Sequence, residues 1–239
     1  MRLLDLFCCA GGAARGYADA GFEIVGVDID PQPRYPFAFI QADCLSLDQR
    51  FLRSFDAIHA SPPCQFATLL KHAPGGKDHA NLIPATRALL EASGRPYVIE
   101  NVEPARPHLR DLVMLCGTMF GLQTQGHDLR RHRLFETNWP LTPPCDCRHD
   151  PGRPTVGVYG GHARRRSAKH GGRGTRDAWQ GGHRQAMVEA MGMDWATCNE
   201  MSEAIPPAYT EHVGGQLRDL ILGLRASPFR LGSVAKSGE

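Results

Sequence analysis

Cys64, in the segment SPPCQ at residues 61–65, has the setting that most suggests chemistry in this 239-residue chain. The apolar run before it is typical of a buried strand. Pro62 and Pro63 restrict the backbone, so they hold the thiol in a defined direction. A core cysteine needs no such restraint. Cys64 is therefore predicted to be a nucleophile at a strand end, with a packed structural thiol as the alternative.

Three further side chains suggest proton transfer or the binding of a carbonyl oxygen or a phosphate. Glu100 follows the apolar segment YVI, and an apolar setting raises the pKa of a carboxyl group until it can donate a proton. Arg131 and Arg133 alternate in LRRHRLFE, so on an extended segment both lie on one face, where they could hold a carbonyl oxygen or a phosphate. The simpler interpretations are an ordinary strand-end glutamate and a solvated run of charges.

A second group of residues suggests an adenosine ligand. The glycine-containing turn CCAGGAARG after the first apolar run can present backbone N–H groups to a ligand, although it could also be only a tight turn. Asp28 ends the next run, where an acid can accept both ribose hydroxyls, and Asp43 follows the third run, where it can accept from an adenine amino group. No P-loop lysine follows the first run, so a triphosphate is not favoured.

The elements that must position these residues alternate in type. Helix-compatible stretches such as ATRALLEAS at 85–93 lie between some of the short apolar runs, which predicts βαβ units and a mostly parallel sheet. The carboxyl ends of such strands share one edge, so the candidate residues should meet there. The apolar runs are RLLDLF (2–7), FEIVGVDID (22–30), FAFIQADC (37–44), FDAIHASPP (55–63) and PYVIENV (96–102).

The composition of the chain changes at about residue 137, where glycine and proline become frequent. Apolar residues at helical spacing return at 183–199 and 209–224. Four segments are predicted: a catalytic domain at 1–136, a small loop-rich insert at 137–182, a helical return segment completing the catalytic domain at 183–225, and a tail at 226–239.

Composition limits the classes of protein to consider. Lys+Arg and Asp+Glu nearly balance at 27 and 25, and 42% of residues are hydrophobic, as in a globular enzyme. We see neither a membrane-spanning run nor a signal peptide, which favours a cytoplasmic protein with no membrane partner. The eight cysteines are accordingly expected to be reduced.

The ordered motifs resemble those of the DNA (cytosine-5)-methyltransferases. The resemblance covers residues 3 to about 136 and returns near the C-terminus, and the order of the motifs is more specific than any one of them. The matching segments are DLFCCAGGAARGY (5–17), GVDIDP (26–31), SPPCQ (61–65), ENV (100–102), RRHR (130–133) and EAIPPAYTEHVGGQL (203–217).

This resemblance implies a Rossmann-like class I SAM-dependent methyltransferase fold (α/β) with a small loop-rich target-recognition subdomain. The adenosine ligand would be S-adenosylmethionine. The implied cofactor-binding residues are Phe7 and Ile29 near the adenine, Gly11 and Gly12 at the methionine side, Asp28 on the ribose, Asp43 on the base, and Pro63 and Leu82 completing the site.

The implied reaction is methylation of carbon-5 of a flipped-out cytosine in double-stranded DNA. Cys64 would add to carbon-6, Glu100 would stabilise N3, Arg133 would bind O2, and Arg131 would support Cys64 or the pocket wall. The small size resembles compact phage or prophage enzymes, acting as a monomer in a bacterial or phage-infected cell. Two alternatives stay open: an RNA (tRNA) cytosine-5 methyltransferase and a catalytically silent DNA-binding relative.

The sequence departs from the family pattern at four places. Cys9 stands where many relatives have the first glycine of the cofactor turn, Asp28 where glutamate is usual, Ser61 where glycine is common and Leu129 where a glutamine often lies. The last motif also lacks its usual Gly-Asn start. None of these changes removes a catalytic group. Because the changes cluster where the methionine part of the cofactor would bind, a modified sulfonium compound is also a possible methyl donor.

Basic residues concentrate in the insert, where residues 148–176 carry eight Lys or Arg against a single acid, Asp150. Such a cluster predicts contacts to nucleic-acid phosphates, and a solvated basic loop is the alternative. The predicted nucleic-acid-binding residues are Arg164, Arg165, Arg166, Lys169, Arg173 and Arg176.

The segment CDCRH offers Cys145, Cys147 and His149 as candidate zinc ligands. Cys-x-Cys-x-His is not a standard zinc spacing and no obvious second pair follows, so His127 or His162 would have to complete the site. The sequence by itself therefore does not favour zinc.

Overall fold

The computed structural model describes residues 1–67, 79–159 and 179–226, with side chains up to residue 223. Its central feature is one seven-stranded sheet with the strand order β3-β2-β1-β4-β5-β9-β6, while β7 and β8 form a separate hairpin. The strands are β1 Arg2–Leu6, β2 Glu23–Asp28, β3 Ala38–Gln41, β4 Ala57–Ala60, β5 Tyr97–Asn101, β6 Val113–Leu115, β7 Gln123–Thr124, β8 His127–Asp128 and β9 Arg133–Thr137.

The first five strands are parallel, and β9 runs antiparallel between β5 and β6. Every residue of β4 and β5 is buried, because helices and loops cover both faces of the sheet. The predicted mostly parallel sheet is confirmed. The third strand is shorter than the run FAFIQADC because the Asp43 side chain accepts from the Leu45 N–H and starts a 3-10 turn there.

Six α-helices surround the sheet in the described residues, and the helical return segment supplies three of them. Helix α1 packs against α6 through Gly16, where an added Cβ would lie 2.0 Å from the Pro207 carbonyl oxygen. The helices are α1 Gly12–Asp19, α2 Gln49–Leu52, α3 Ile83–Ser93, α4 Gly182–Met191, α5 Cys198–Glu203 and α6 Pro207–Ala226.

Several predicted features lie outside the described residues. They include His162 and all six predicted nucleic-acid-binding residues, from Arg164 to Arg176. Among the helices that the structure does describe, none combines the length and apolar character needed to cross a bilayer.

Candidate active site

The Cys64 loop is fixed by the neighbouring strand. Asn101, at the end of β5, donates from Nδ2 to the Pro62 carbonyl oxygen at 2.8 Å, and the bond is buried. The Ala67 N–H donates to the Cys64 carbonyl at 3.0 Å, which starts a short 3-10 turn directly after the cysteine. The backbone around Cys64 is therefore fixed at the carboxyl end of β4, and the thiol of Cys64 is half-buried.

Glu100 and Arg133 form a buried ion pair at the same edge of the sheet. Glu100 lies opposite Phe135 in the β5–β9 ladder, so Arg133, two residues away, shares its face and sits on the diagonal. Arg133 Nε lies 3.2 Å from Glu100 Oε1, with side chains only 12% and 7% exposed. Burial raises the pKa of Glu100, and Arg133 and the Ser61 hydroxyl partly oppose that rise.

The charges of this pair act on Cys64. Burial raises the pKa of the thiol first and the Glu100 carboxylate raises it further, whereas Arg133 and Arg131 lower it. A proton on Glu100 would remove the negative charge that opposes a thiolate. Protonation of Glu100 and ionisation of Cys64 therefore favour each other, which suits a nucleophile that works beside an acid.

Arg131 faces the protein interior and holds backbone segments together. Its guanidinium donates to the carbonyl oxygens of Val158, Ser202 and Ala204 at 2.7 to 3.1 Å. Burial lowers its pKa to about 9, which leaves it charged at neutral pH. Of the two roles expected for Arg131, these contacts favour support of the pocket wall, while Arg133 has the partner Glu100.

A buried hydrogen-bonded chain behind Glu100 was missed by sequence reasoning. The Tyr17 hydroxyl lies 3.0 Å from His59 Nδ1, and His59 Nε2 lies 2.9 Å from Ser61 Oγ. Burial lowers the pKa of His59 to about 3, so the ring is neutral. Since Ser61 hydrogen-bonds to Glu100, the ring proton belongs on Nε2 and every donor points toward the carboxylate. The serine in place of the family's glycine was the available signal.

The cofactor turn is ordered by Asp28. Its Oδ2 accepts from the Cys9 N–H at 2.9 Å and its Oδ1 from the Asp30 N–H at 3.1 Å. Cys9 has a φ of 43°, a left-handed conformation that glycine adopts more easily. Each carboxylate oxygen keeps a lone pair for a ligand hydroxyl.

The remaining cofactor candidates fit an adenosine group at this edge. Ile29 is 63% exposed directly after Asp28, although it is a large apolar side chain, so an aromatic base could cover it. Gly11 has a φ of 80° and Gly12 leaves no room for a Cβ, which would meet the Ile205 carbonyl oxygen at 2.4 Å. Asp43 is exposed and uses Oδ1 to cap its own turn.

Phe7, Pro63 and Leu82 complete the predicted cofactor set. Phe7 has a φ of 57° in the cofactor turn, Pro63 is exposed beside Cys64, and Leu82 is half-buried at the start of α3. Phe7 therefore follows the carboxyl end of β1 and Pro63 that of β4, while Leu82 directly precedes α3, the next α-helix after β4.

Glu203 is a further acid near the cofactor turn that the sequence did not single out. It is exposed, burial of part of the side chain raises its pKa, and the charges of Glu200 and Asp28 add to that rise. Burial and the charge of Asp28 raise the pKa of Cys9, and the charge of Glu203 adds to that rise. Glu203 stands at the start of the last motif, where this sequence departs from the family, so only the tertiary fold brings it to the cofactor turn.

The three candidate metal ligands named from the sequence are only partly brought together. Cys147 and His149 join Cys116 and His132 in one compact group. Cys145 is not in it, because its exposed thiol points toward the Met119 carbonyl at 3.9 Å. His127, considered as a completing ligand, instead lies against Trp179 with ring centroids 4.6 Å apart.

Comparison with known proteins gives a fold. No protein-family model matches the sequence, and no curated protein is significantly similar to it. Among solved structures, the S. pombe Dnmt2 methyltransferase is 13% identical with a TM-score of 0.53, covering 92% of this chain and 99% of that chain. A Spodoptera frugiperda DNMT2 mutant is 12% identical with a TM-score of 0.52 over the same shares.

Two other solved structures extend the comparison. The Entamoeba histolytica methyltransferase EhMeth is 9% identical with a TM-score of 0.53, covering 92% of this chain and 98% of that chain. A protein described as a DNA modification methyltransferase encoded within an E. coli prophage is 19% identical over 65% of this chain, with a TM-score of 0.41. This chain spans about half, 53%, of the length of that protein.

The likenesses to the two Dnmt2 structures and to EhMeth, with TM-scores above 0.5, confirm the predicted fold class. The chain has the Rossmann-like fold of class I SAM-dependent methyltransferases, in which the single antiparallel strand of the main sheet lies between the last parallel strand and the edge. The neighbours are methyltransferases, in agreement with the resemblance to the DNA (cytosine-5)-methyltransferases that the motifs carry.

Proposed function

We propose that this protein transfers a methyl group from S-adenosylmethionine to carbon-5 of a cytosine in DNA. The observation that carries the proposal is the buried Glu100–Arg133 ion pair, 3.2 Å long, at the strand edge that also holds Cys64. Burying two charges is costly and seldom adds stability by itself. A buried carboxyl group and a buried guanidinium beside Cys64 can, however, assist covalent attack on a pyrimidine, the first as a proton donor and the second as a donor to a ring oxygen.

Cys64 supplies the nucleophile. Its thiolate forms a bond to carbon-6 of the ring, and the electrons of the carbon-5–carbon-6 double bond make carbon-5 nucleophilic. After carbon-5 has gained the methyl group, it loses its proton to a base such as water. The double bond returns as the carbon–sulfur bond breaks and the thiolate leaves.

Glu100 and Arg133 stabilise the ring during this addition. A protonated Glu100 donates to N3, where electron density accumulates, and its raised pKa favours that protonated form. Arg133 donates to the O2 oxygen. The chain from Tyr17 through His59 and Ser61 holds the Glu100 carboxyl in place, and Arg131 holds the wall behind it.

The residues at the ends of β1 and β2 fit the cofactor. Asp28 would accept from the ribose hydroxyls, and the exposed Ile29 would contact the adenine. Gly11 and Gly12 would let the methionine part approach the turn. When bound, S-adenosylmethionine supplies an electrophilic methyl group on a sulfonium.

Double-stranded DNA is the proposed substrate because the insert at 137–182 concentrates basic residues. The motifs are equally compatible with an RNA cytosine, and the retained catalytic groups argue against a silent scaffold. Substrate class is therefore the first thing to test.

Covalent trapping tests the proposal. The protein is incubated with S-adenosylmethionine and double-stranded DNA that contains 5-fluorocytosine in many sequence contexts. Since fluorine cannot leave from carbon-5 as a proton does, intact mass is expected to show a stable protein–DNA adduct. The Cys64→Ala variant should form none while still binding the cofactor in a calorimetric titration, and Cys145→Ser, with its exposed thiol outside the site, should behave as wild type.

Each other outcome has a meaning. An adduct with Cys64→Ala would remove Cys64 from the mechanism. A wild-type protein that binds the cofactor and traps only fluorinated tRNA would be an RNA methyltransferase, and one that traps neither substrate would be a silent relative.

A further inference from the structure

Four side chains from separate parts of the sequence converge beside the arginine motif. Cys116 follows β6, His132 immediately precedes β9, and Cys147 and His149 lie in the irregular segment beyond β9. Their donor atoms all lie within 4.8 Å of one another. We name Cys116, His132, Cys147 and His149 the Cys2His2 cluster.

Four of the six donor–donor distances in the cluster match the edges of a coordination tetrahedron. With metal–nitrogen bonds of about 2.0–2.1 Å and metal–sulfur bonds of about 2.3 Å, tetrahedral zinc has edges of roughly 3.3–3.8 Å. His149 Nε2 lies 3.3 Å from each of Cys116 Sγ, Cys147 Sγ and His132 Nε2, and Cys147 Sγ lies 3.6 Å from His132 Nε2.

Hydrogen bonds alone do not explain this packing. An imidazole nitrogen has one in-plane direction for a proton or a lone pair, yet His149 Nε2 has three polar neighbours at the same 3.3 Å. One cation at the common centre would accept a lone pair from each of the four donors.

Contacts around the cluster also fit a metal. Glu103 Oε2 lies 3.2 Å from His132 Nδ1, which places the ring proton on Nδ1 and leaves the Nε2 lone pair facing the cluster. This carboxylate–histidine contact is the usual outer partner of a metal-binding histidine. The Thr118 hydroxyl donates to Cys116 Sγ at 3.3 Å, as hydroxyls do to thiolate ligands.

We propose that the Cys2His2 cluster binds one structural Zn²⁺. Two thiolates and two imidazoles in tetrahedral spacing are typical of zinc, and four protein ligands leave no position open for a substrate. The ligand order is Cys-x15-His-x14-Cys-x-His, with Cys116 in place of Cys145. Sequence spacing did not reveal this set because two ligands come from another part of the chain.

The metal ties an otherwise irregular segment to the sheet. Residues 138–154, all of which the structure describes, form neither helix nor strand. Zinc commonly replaces secondary structure as the stabilising element in such segments. The ligand His132 stands between Arg131 and Arg133, so on the proposed function the metal also fixes the entry to β9 that positions Arg133.

Metal analysis tests the site independently of methyl transfer. Protein purified without a polyhistidine tag is expected to hold about one zinc per chain by mass spectrometry of the metal content. Cys116→Ser and His149→Gln should each lower the content below about a tenth of an equivalent in the same assay, whereas Cys145→Ser should keep it. Cobalt-substituted wild type should show the absorption of a tetrahedral thiolate complex, and Cys147→Ser should weaken its thiolate band.

A second measurement keeps the test valid if a ligand variant fails to fold. Chelator-treated wild type is titrated with Zn²⁺, which should restore its melting temperature at one equivalent. Failure of purified and titrated wild type to hold zinc would overturn the proposal, as would a Cys116–Cys147 disulfide detected by alkylation and mass. Retained zinc with no trapped DNA adduct would leave this site standing and reject only the proposed function.

Discussion

At the scale of single residues, the candidate site depends on charges that the fold buries together. Glu100 would be an ordinary carboxylate in water, but its burial at the end of β5 favours the protonated form. Arg133 is close enough to limit that shift, and Ser61 limits it further. The balance keeps Glu100 able to change its protonation during a reaction, which a fully neutral or fully ionised group would not be.

Replacement of Glu100 by glutamine tests this balance. The variant keeps a donor for N3 but cannot transfer a proton, so the single-turnover methylation rate should fall by about 10²-fold or more. Because the raised pKa of Glu100 favours the protonated acid, the wild-type rate should fall as pH rises through that pKa, and Glu100→Gln should lose this dependence.

The control for that experiment is Glu23→Gln, which changes an exposed glutamate at the start of β2, at the opposite end of the sheet. It should keep both the rate and the pH profile. A Glu100→Gln variant with the wild-type rate would contradict a role for Glu100 in the chemistry.

At the scale of elements, the close contact of α1 with α6 joins the two ends of the chain. The Thr210 hydroxyl, in α6, donates to the Ala13 carbonyl at 2.9 Å. Trp195 forms a second hydrogen bond of this kind, donating from Nε1 to the Ala10 carbonyl at 2.8 Å. The cofactor turn between β1 and α1 is therefore supported by residues almost two hundred positions away.

A substitution at Gly16 tests this contact. A Cβ there would lie 2.0 Å from the Pro207 carbonyl oxygen and 2.2 Å from Thr210 Oγ1, so Gly16→Ala must push α6 away. The free energy of unfolding should fall by about 2 kcal/mol or more in urea denaturation.

Gly215→Ala is the matched control, because a Cβ at that position in α6 meets nothing within 4 Å. It should leave stability within about 1 kcal/mol of wild type, on the stabilising side, since alanine favours helix. Equal effects of the two substitutions would show that helix propensity and not packing determines the result.

At the scale of the whole molecule, one ion pair links the loop after β2 to the return segment. Arg34 donates to both carboxylate oxygens of Glu200 at 2.7 to 3.0 Å. Glu200 also completes a capping box with Thr197 at the start of α5. Through these bonds, with Arg34 as the main cause, the pKa of Glu200 falls from 4.5 to about 2.

This shift predicts a pH-dependent stability. A carboxyl group whose pKa is lowered on folding stabilises the protein above its unfolded pKa of 4.5 and loses that effect as the pH falls toward about 2. Glu200→Gln should therefore lower the urea midpoint at neutral pH, and the difference from wild type should shrink in acid.

Glu91→Gln is the comparison for this prediction, because Glu91 forms an exposed ion pair with Arg110. Such a pair contributes little, so this variant should stay near wild type at every pH. A Glu200 effect that does not change with pH would show that the carboxylate charge is not its source.

The sequence by itself determined the parallel strands, the strand-end positions of Cys64 and Glu100, and the glycine-containing turn after β1, because apolar periodicity and chain order carry that information locally. Tertiary structure decided which arginine faces the site, since Arg131 and Arg133 alternate identically in sequence and differ only in their neighbours. It also decided the metal ligands. Cys116 and His132 meet Cys147 and His149 only after β9 inserts between β5 and β6, and no spacing along the chain encodes that approach.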